Sequence, residues 1–337
     1  MKKKALRLKD LAQLLGVSHT TVSRALNNHP DISEATRERV KQAAAALHYT
    51  PNAMAAHFRE QRSKTLGVIM PFISFYFFPS VLRSIEAVAH ANGYNVMITQ
   101  SGESTEREAA NARLLLNNRV DGVLASIAEN TLEIHHFAEL EEAGVPVVYF
   151  DRVPSQPGLN RVVIDGEKAA YQGTLHLISK GFRRLVMVAG HPSLSISRSR
   201  VEGFRAALHE SGLGLGPSQV LHASSRSEAA LLCGRAMLGQ DKPDAFFAIS
   251  DEAMSGVVLA LAQLPPEQSQ SIGLLCFSDG ELPALFGRPV SYIHHSGQLV
   301  GQEAALLLLR RLHHPSELTP RTLVLETVLR EPPFDGL

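Results

Sequence analysis

Apolar residues recur at Leu8, Leu11, Ala12 and Leu15, the i, i+3, i+4, i+7 spacing that gives a helix a single apolar stripe. Gly16 predicts its end. A second helix is expected from Ser18, a residue type suited to an N-cap, with Val22, Ala25 and Leu26 as its apolar side. A third follows "DIS", with Ser33 as N-cap and Ile32, Val40, Ala43, Ala44 and Leu47 as its apolar set. Two short helices joined by a tight Gly turn, with a third behind them, predict a helix-turn-helix. From Thr65 the pattern changes. The β-rich runs "TLGVIMPFI", "NVMITQ", "DGVLAS", "VPVVYFD", "RLVMVAG", "AFFAIS", "IGLLCFS" and "VSYIHH" alternate with helical stretches, and "RVVIDGEKAA" near 161–170 opens a second set. That alternation predicts an α/β body of two doubly wound parallel-sheet lobes behind a small all-α headpiece. Ligand groups are expected in a cleft at the carboxyl ends of the strands.

At 337 residues the chain is long for one core, in keeping with several domains. The formal net charge is zero, but its distribution is uneven. Residues 1–62 hold 11 Lys and Arg against 5 Asp and Glu, a net of +6; the other 275 hold 22 against 28, a net of −6. A basic head on an acidic body points to a head that meets phosphate. Cys233 and Cys276 belong to no CxxC or His-rich cluster, which argues against a zinc site or disulfide scaffold and fits a reducing, cytoplasmic setting. Charges at Arg7, Lys9 and Asp10 interrupt any signal-peptide core. The uncharged run Leu66–Leu82 is broken by Pro71 and Pro79, so no membrane span is expected.

The second helix sets a question of its own. Opposite Val22 and Leu26 it carries His19, Thr20, Thr21, Ser23 and Arg24, groups that hydrogen-bond base edges and phosphate oxygens. The pattern admits two readings: a face lying in a DNA major groove, or the solvated side of a small helical cap.

"LKDLAQLLGVSHTTVSRALNN" and "SEATRERVKQAAAALHYTPNAMAAHFR" resemble the lactose/galactose-repressor family of bacterial transcription regulators. The likeness continues through "SKTLGVIMPFIS", "VDGVLAS", "GVPVVYFDR", "HLISKGFRRLVMVAG", "GFRAALHESGL" and "LREPP", over essentially the whole chain. The resemblance implies that His19 and Thr20 read bases with Arg24 in the same groove, while Ser18, Thr21, Ser23 and Asn27 hold phosphates. It also implies a hinge at 51–62 that becomes helical on DNA. Asn52 and Ala55 would cap and pack the paired hinges, and Phe58 stands at the position of the apolar wedge that enters the minor groove. Most members have Leu there; Phe is also used as a wedge, though it could instead pack on the core of the free protein. The implied organisation is a headpiece at 1–50, the hinge, and a periplasmic-binding-protein-like (type I) effector and dimerisation domain at 63–337. Its first lobe is expected at about 63–164 and 296–323, its second at about 165–294 and 324–332.

For the cleft, the resemblance implies Phe77 and Phe78 as paired aromatics against a sugar face, Asp151 and Arg152 as the acid and base that bind hydroxyls, and Arg200 as a ligand-binding arginine. Three positions depart from the family pattern. Ser250-Asp251 stands where Asn-Asp is usual, Ser278 where a carboxylate is usual, and His295 where Gln is usual. Two retained arginines and one lost carboxylate predict a more cationic pocket and an acidic or modified sugar as effector. An ordinary sugar bound through water by Ser278, or no effector, are the alternatives.

Catalysis is not expected. The His pairs at 135–136, 294–295 and 313–314 lack the i, i+4 spacing of a helical zinc site. There is no GxSxG, Walker loop or GxGxxG, "GLGLGP" has the wrong spacing, and Asp165 lacks a partner acid. No cofactor or metal is implied. The reading is a cytoplasmic repressor-type regulator that binds pseudo-palindromic operator DNA as a homodimer. A small effector, a sugar or a sugar acid or phosphate, would control it. A regulator controlled by a partner protein, or a sugar-binding protein with no regulatory role, are the alternatives.

Overall fold

In the computed structural model the described residues are 8–26, 28–47, 49, 63–74, 77–214, 216–280, 282–316 and 319–332. They form two compact units, divided after Ser63.

The head is three helices, α1 (Leu8–Leu15), α2 (His19–Leu26) and α3 (Glu34–Ala46). The apolar stripes meet as a core of Leu11, Ala12, Val22, Ala25, Val40 and Ala44. Burying each of the larger side chains contributes roughly 1.5–3 kcal/mol. Gly16 turns the chain at φ +62°, a conformation that costs glycine nothing. The Ser18 hydroxyl accepts from the Thr21 amide at 3.0 Å and Ser33 caps α3 through the Thr36 amide. Arg39 donates to the Leu15 carbonyl at 2.7 Å, satisfying the end of α1.

The body begins with β1 (Thr65–Met70), α4 (Phe77–Ala91), β2 (Asn95–Gln100), α5 (Thr105–Asn117), β3 (Gly122–Ala125), α6 (His135–Glu142), β4 (Val147–Phe150) and β5 (Arg161–Ile164). It continues with α7 (Gly166–Ser179), β6 (Leu185–Ala189), α8 (Ser195–Glu210), β7 (Val220–His222), α9 (Arg226–Leu238), β8 (Ala245–Ala248), α10 (Asp251–Leu261), β9 (Gly273–Ser278) and β10 (Ser291–His294). It ends with α11 (Gly297–His313), β11 (Thr322–Leu325) and β12 (Val328–Arg330). The first sheet has the order β11-β5-β4-β3-β1-β2, the second β12-β10-β9-β8-β6-β7. Each described pairing is parallel except β12 with β10. Every residue of β3, β4, β6 and β8 is buried, as helices on both faces require.

The chain passes between the sheets after Ile164, after His294 and after Leu325. The last passage lies two residues beyond the expected 323/324 boundary because Val324 and Leu325 pair with Val163 and Ile164. Close helix packing uses glycine in each lobe. A Cβ on Gly301 would collide with the Val81 carbonyl, and one on Gly203 with the Glu167 carbonyl. The edge strands β7, β11 and β12 were not among the apolar runs. They are three or four residues long and half-exposed or exposed, so they carry little pattern.

Candidate nucleic-acid interface and ligand cleft

Ser18, just before α2, and His19, Thr20 and Arg24 on it are exposed, and Thr21 is half-buried. The three hydroxyls cluster at the helix start: Ser18 Oγ lies 2.6 Å from Thr20 Oγ1 and 2.8 Å from Thr21 Oγ1. Arg24 reaches Asp31 at 3.6 Å, with the two side chains 57% and 62% exposed. Ser23 does not belong to this surface. It is buried, because about 100° of helical rotation from Val22 puts it on the shoulder of the core-facing arc. Asn27, Asn52, Ala55 and Phe58 lie outside the described residues.

In the body, the loops at the carboxyl ends of β1, β4, β8, β9 and β10 converge on a cavity of about 150 Å³. A water needs roughly 10–15 Å³ of such space, so it has room for about ten non-hydrogen atoms. Phe77, Phe78, Asp151, Arg152, Arg200, Ser250, Ser278 and His295 all border it. Their environments differ.

The two aromatic rings lie edge-on to each other at 5.4 Å, but their burial differs. Phe77 is half-buried, its ring 4.5 Å from that of His295, whereas Phe78 is packed into the first lobe's core, edge-on to Phe72 at 5.6 Å. Phe72 presents its own ring to the Arg152 guanidinium at 5.5 Å. Arg152 donates to Glu103 Oε1 at 2.7 Å, and Glu103 Oε2 accepts from the Glu129 amide at 2.9 Å. Asp151 is buried in the left-handed region at φ +57°, which Asp tolerates better than most residues. Burial pushes its carboxyl up against the opposing pull of Arg200 and Arg152.

Arg200 is buried. It donates to the Ile249 carbonyl at 2.6 Å and stacks 3.8 Å over Phe277. Burial lowers it to about 10, with Asp151 opposing. Its Nε and Nη2 have no acceptor. Ser250 is used as the N-cap of α10, accepting from the Ala253 amide at 3.2 Å. The Ser278 hydroxyl accepts from the Gly280 amide at 2.9 Å, so its own hydrogen is free for the carboxylate of Asp251. Asp251 also accepts from the Asp279 amide, yet burial raises it to about 6 and its Oδ1 has no partner. Asp279 borders the cavity and holds the Gly297 amide at 2.7 Å. His295 is buried and donates its amide to the Ser278 carbonyl at 2.8 Å. Burial, then Arg200, holds its ring well below the usual histidine range.

The expected excess of positive charge is not there. Six carboxylates line the cavity, those of Glu103, Glu129, Asp151, Asp251, Glu252 and Asp279, against the two arginines. The carboxylate absent at 278 is offset by Asp251, one helix start away. Sequence reasoning passed over Phe72, Glu103 and Phe277, and noted Asp251 only beside the departure at Ser250. The rule that ligand groups gather at strand ends could have found all of these, since each follows or ends a strand.

The His pairs do other work. His136 is buried against Glu108 at 3.0 Å and His135 reaches Glu133 at 3.0 Å, both from helix α6. Asp165 caps α7 through the Lys168 amide. Among the described residues no group of three or more His, Cys, Asp or Glu could hold a metal, and no helix is long and apolar enough to cross a membrane.

A helix-turn-helix head followed by a two-lobed body with a polar cleft defines a class: DNA-binding regulators with a small-molecule-binding domain. Residues 63–327 match the model for periplasmic binding proteins and the sugar binding domain of the LacI family, and residues 7–52 match that for bacterial regulatory proteins of the lacI family. The chain belongs to the LacI family of DNA-binding transcription regulators. It is similar to the HTH-type transcriptional repressor PurR of Vibrio vulnificus (strain CMCP6), 28% identical over 95% of this chain and 98% of that protein. It is 30% identical to the ribose operon repressor of Haemophilus influenzae (strain ATCC 51907), over 96% and 97%. The lac repressor dimer bound to operator and the anti-inducer ONPF shares the fold, with a TM-score of 0.83 at 24% identity over 97% of this chain and 98% of that one.

Proposed function

We propose that this protein is a non-catalytic, cytoplasmic repressor that binds a pseudo-palindromic operator as a homodimer and responds to a small effector in the body's cleft. His19, Thr20 and Arg24 meet base edges; Ser18, Thr21 and Asn27 hold phosphates. Asn52, Ala55 and Phe58 form the hinge, with Phe58 as the minor-groove wedge. The observation that carries the DNA reading is α2 itself, which buries Val22 and Ala25 while keeping Ser18, His19, Thr20 and Arg24 in solvent.

The effector reading rests on the cavity between lobes that touch each other. Ser195 Oγ of the second lobe donates to the Val153 carbonyl of the first at 3.0 Å, and Arg198 donates to Ser155 Oγ at 3.1 Å. A ligand that contacts both lobes favours one degree of closure. Such differential contact is the only lever by which it can shift operator affinity.

Selection of duplexes from a random pool by the full-length protein tests this. The expected product is a two-fold-symmetric site, bound with a steep salt dependence. Selection of no consensus, or of an asymmetric one, would refute the homodimeric operator reading.

A further inference from the structure

The cleft's arginines already have opposing charges: Arg152 touches Glu103 at 2.7 Å, and Arg200 lies in the attractive field of Asp151 without a hydrogen bond or ion pair to it among the described residues. Asp279 is held by the Gly297 amide. Glu129, Asp251 and Glu252 have no cation in contact among the described residues, and Asp151 feels Arg200 and Arg152 without touching them. Glu129 carries no ion pair among the described residues. Asp251 and Glu252 open α10, whose N-terminal dipole favours negative charge, but burial outweighs it and both carboxyls are pushed up. Asp279 adds to the rise at Asp251. At Glu252, Glu103 adds to it while Arg152 and Arg226 oppose it.

Three atoms are left without partners on this wall: Oδ1 of Asp251, which is 6% exposed, and Nε and Nη2 of Arg200, which is 4% exposed. They are sealed from water in this arrangement, so a ligand reaches them as the lobes part and close over it.

We propose that the cleft takes a small hydroxyl-bearing molecule with a positive charge, of the amino-sugar or amino-polyol class, with Asp251 and Glu252 as its counter-charge and Arg200 donating to one of its oxygens. This rests on the cleft being the effector site. An ammonium group supplies both the missing cation and hydrogens for Asp251 Oδ1. A neutral sugar supplies only hydrogens and leaves the buried negative charge uncompensated. A phosphate or carboxylate would sit against it. Half-exposed aromatic surface at Phe77 suits a sugar face and a nearby cation alike.

The test is calorimetry on the full-length protein at pH 7. The probes are D-glucose, D-galactose and D-mannose, each with its 2-amino-2-deoxy and 6-phosphate derivatives. In at least one series the amine should bind roughly tenfold or more tighter than the neutral parent, the scale of a charge-assisted hydrogen bond, and the phosphate most weakly. Glu252→Gln, a half-buried position at a helix start and the safer variant for folding, should remove most of that advantage, weakening the amine several-fold more than the neutral parent. Asp251→Asn should act in the same direction. A neutral sugar or phosphate that binds tightest in every series overturns the inference. So does a Glu252→Gln variant that weakens amine and neutral parent equally, or a panel without a binder. If a neutral sugar or a phosphate binds tightest in every series and also shifts operator affinity, the charge inference falls and the effector cleft stands.

Discussion

The DNA-facing side of α2 and the wall of the cleft both present charged and hydroxyl groups, under opposite physical conditions. On α2 the groups stand in water. Ser18, Thr20 and Thr21 satisfy one another, and Arg24 touches Asp31 only across 3.6 Å of exposed space. Holding them there costs little, and exchanging water and Asp31 for phosphate or a base edge releases little strain. In the cleft, Arg200 and Asp251 are buried with polar atoms unpaired. Each such atom costs about 1–3 kcal/mol while it stays so. The first surface is built to exchange partners and the second to be completed by one. Substitutions should therefore change stability strongly in the cleft and weakly on α2.

The largest effect is expected at Arg200. Arg200→Ala leaves Asp151 buried without the charge that most opposes its desolvation and strips the buried Ile249 carbonyl of its donor, a loss on the order of 3 kcal/mol. Burial already raises the Asp151 carboxyl above its unfolded value, and losing Arg200 raises it further. The added penalty is absent below the unfolded pKa and grows as pH rises through the folded one. Urea denaturation should thus find the variant much weaker at pH 8 and closer to wild type at pH 4. An equal loss at both values would mean that only packing over Phe277 was removed.

Asp251→Asn should move stability the other way. Its carboxyl rises from 3.8 to about 6 in the folded protein, so the folded state holds that proton more tightly than the unfolded one. Stability is then fully present below about pH 4 and falls as pH climbs through 6. The shift is worth about 3 kcal/mol at 1.36 kcal/mol per unit. An asparagine carries no charge to desolvate and can still accept from the Ser278 hydroxyl and Asp279 amide. The variant should be more stable than wild type by roughly 1–3 kcal/mol at pH 7.5 and no more stable at pH 4. A variant destabilised at pH 7.5 would make Asp251 a structural acceptor and remove the contrast with α2.

This contrast also decided what could be read from the sequence. The helix stripes through Leu11, Val22 and Val40 and the strand runs through β3, β4 and β8 are local periodicities, and local spacing contains them. Ser23 was misplaced because an eight-residue helix leaves its flank positions close to the edge of the buried arc. The charge state of the cleft was not legible. Arg152 is neutralised by Glu103, 49 positions earlier in the chain, and Asp251 draws its hydrogen bonds from Ser278 and Asp279 at the far end of β9. Counting retained arginines and one lost carboxylate missed these long-range partners and reached the opposite sign.

On α2 the comparison predicts function without stability. Arg24→Ala should cost operator binding about 1–3 kcal/mol if the guanidinium pairs with a base edge. It should change folding stability by less than about 1 kcal/mol, since an exposed ion pair contributes no more. Fluorescence anisotropy on the selected operator and on a scrambled duplex separates the roles. A loss on the operator alone assigns base reading, and an equal loss on both assigns a phosphate contact.

The smallest effect is expected from Asp31→Asn, which sharpens the comparison because it removes the carboxylate that Arg24 touches among the described residues. In the free protein the pair is exposed on both sides and screened by salt, so its loss should leave the unfolding midpoint nearly unchanged. On DNA the carboxylate works against binding in two ways. It competes for Arg24, and it adds a negative charge close to the phosphates. The variant should bind all duplexes a few-fold more tightly, on the order of 0.5–1 kcal/mol, with the operator-to-random ratio little changed. His29, whose ring nitrogen lies 3.4 Å from the same carboxylate, is released as well, so His29→Gln in the Asp31→Asn background serves as the control for its share of the gain. A drop in operator affinity on Asp31→Asn would show that Asp31 orients Arg24 toward its base, and the α2 surface would then be pre-organised like the cleft.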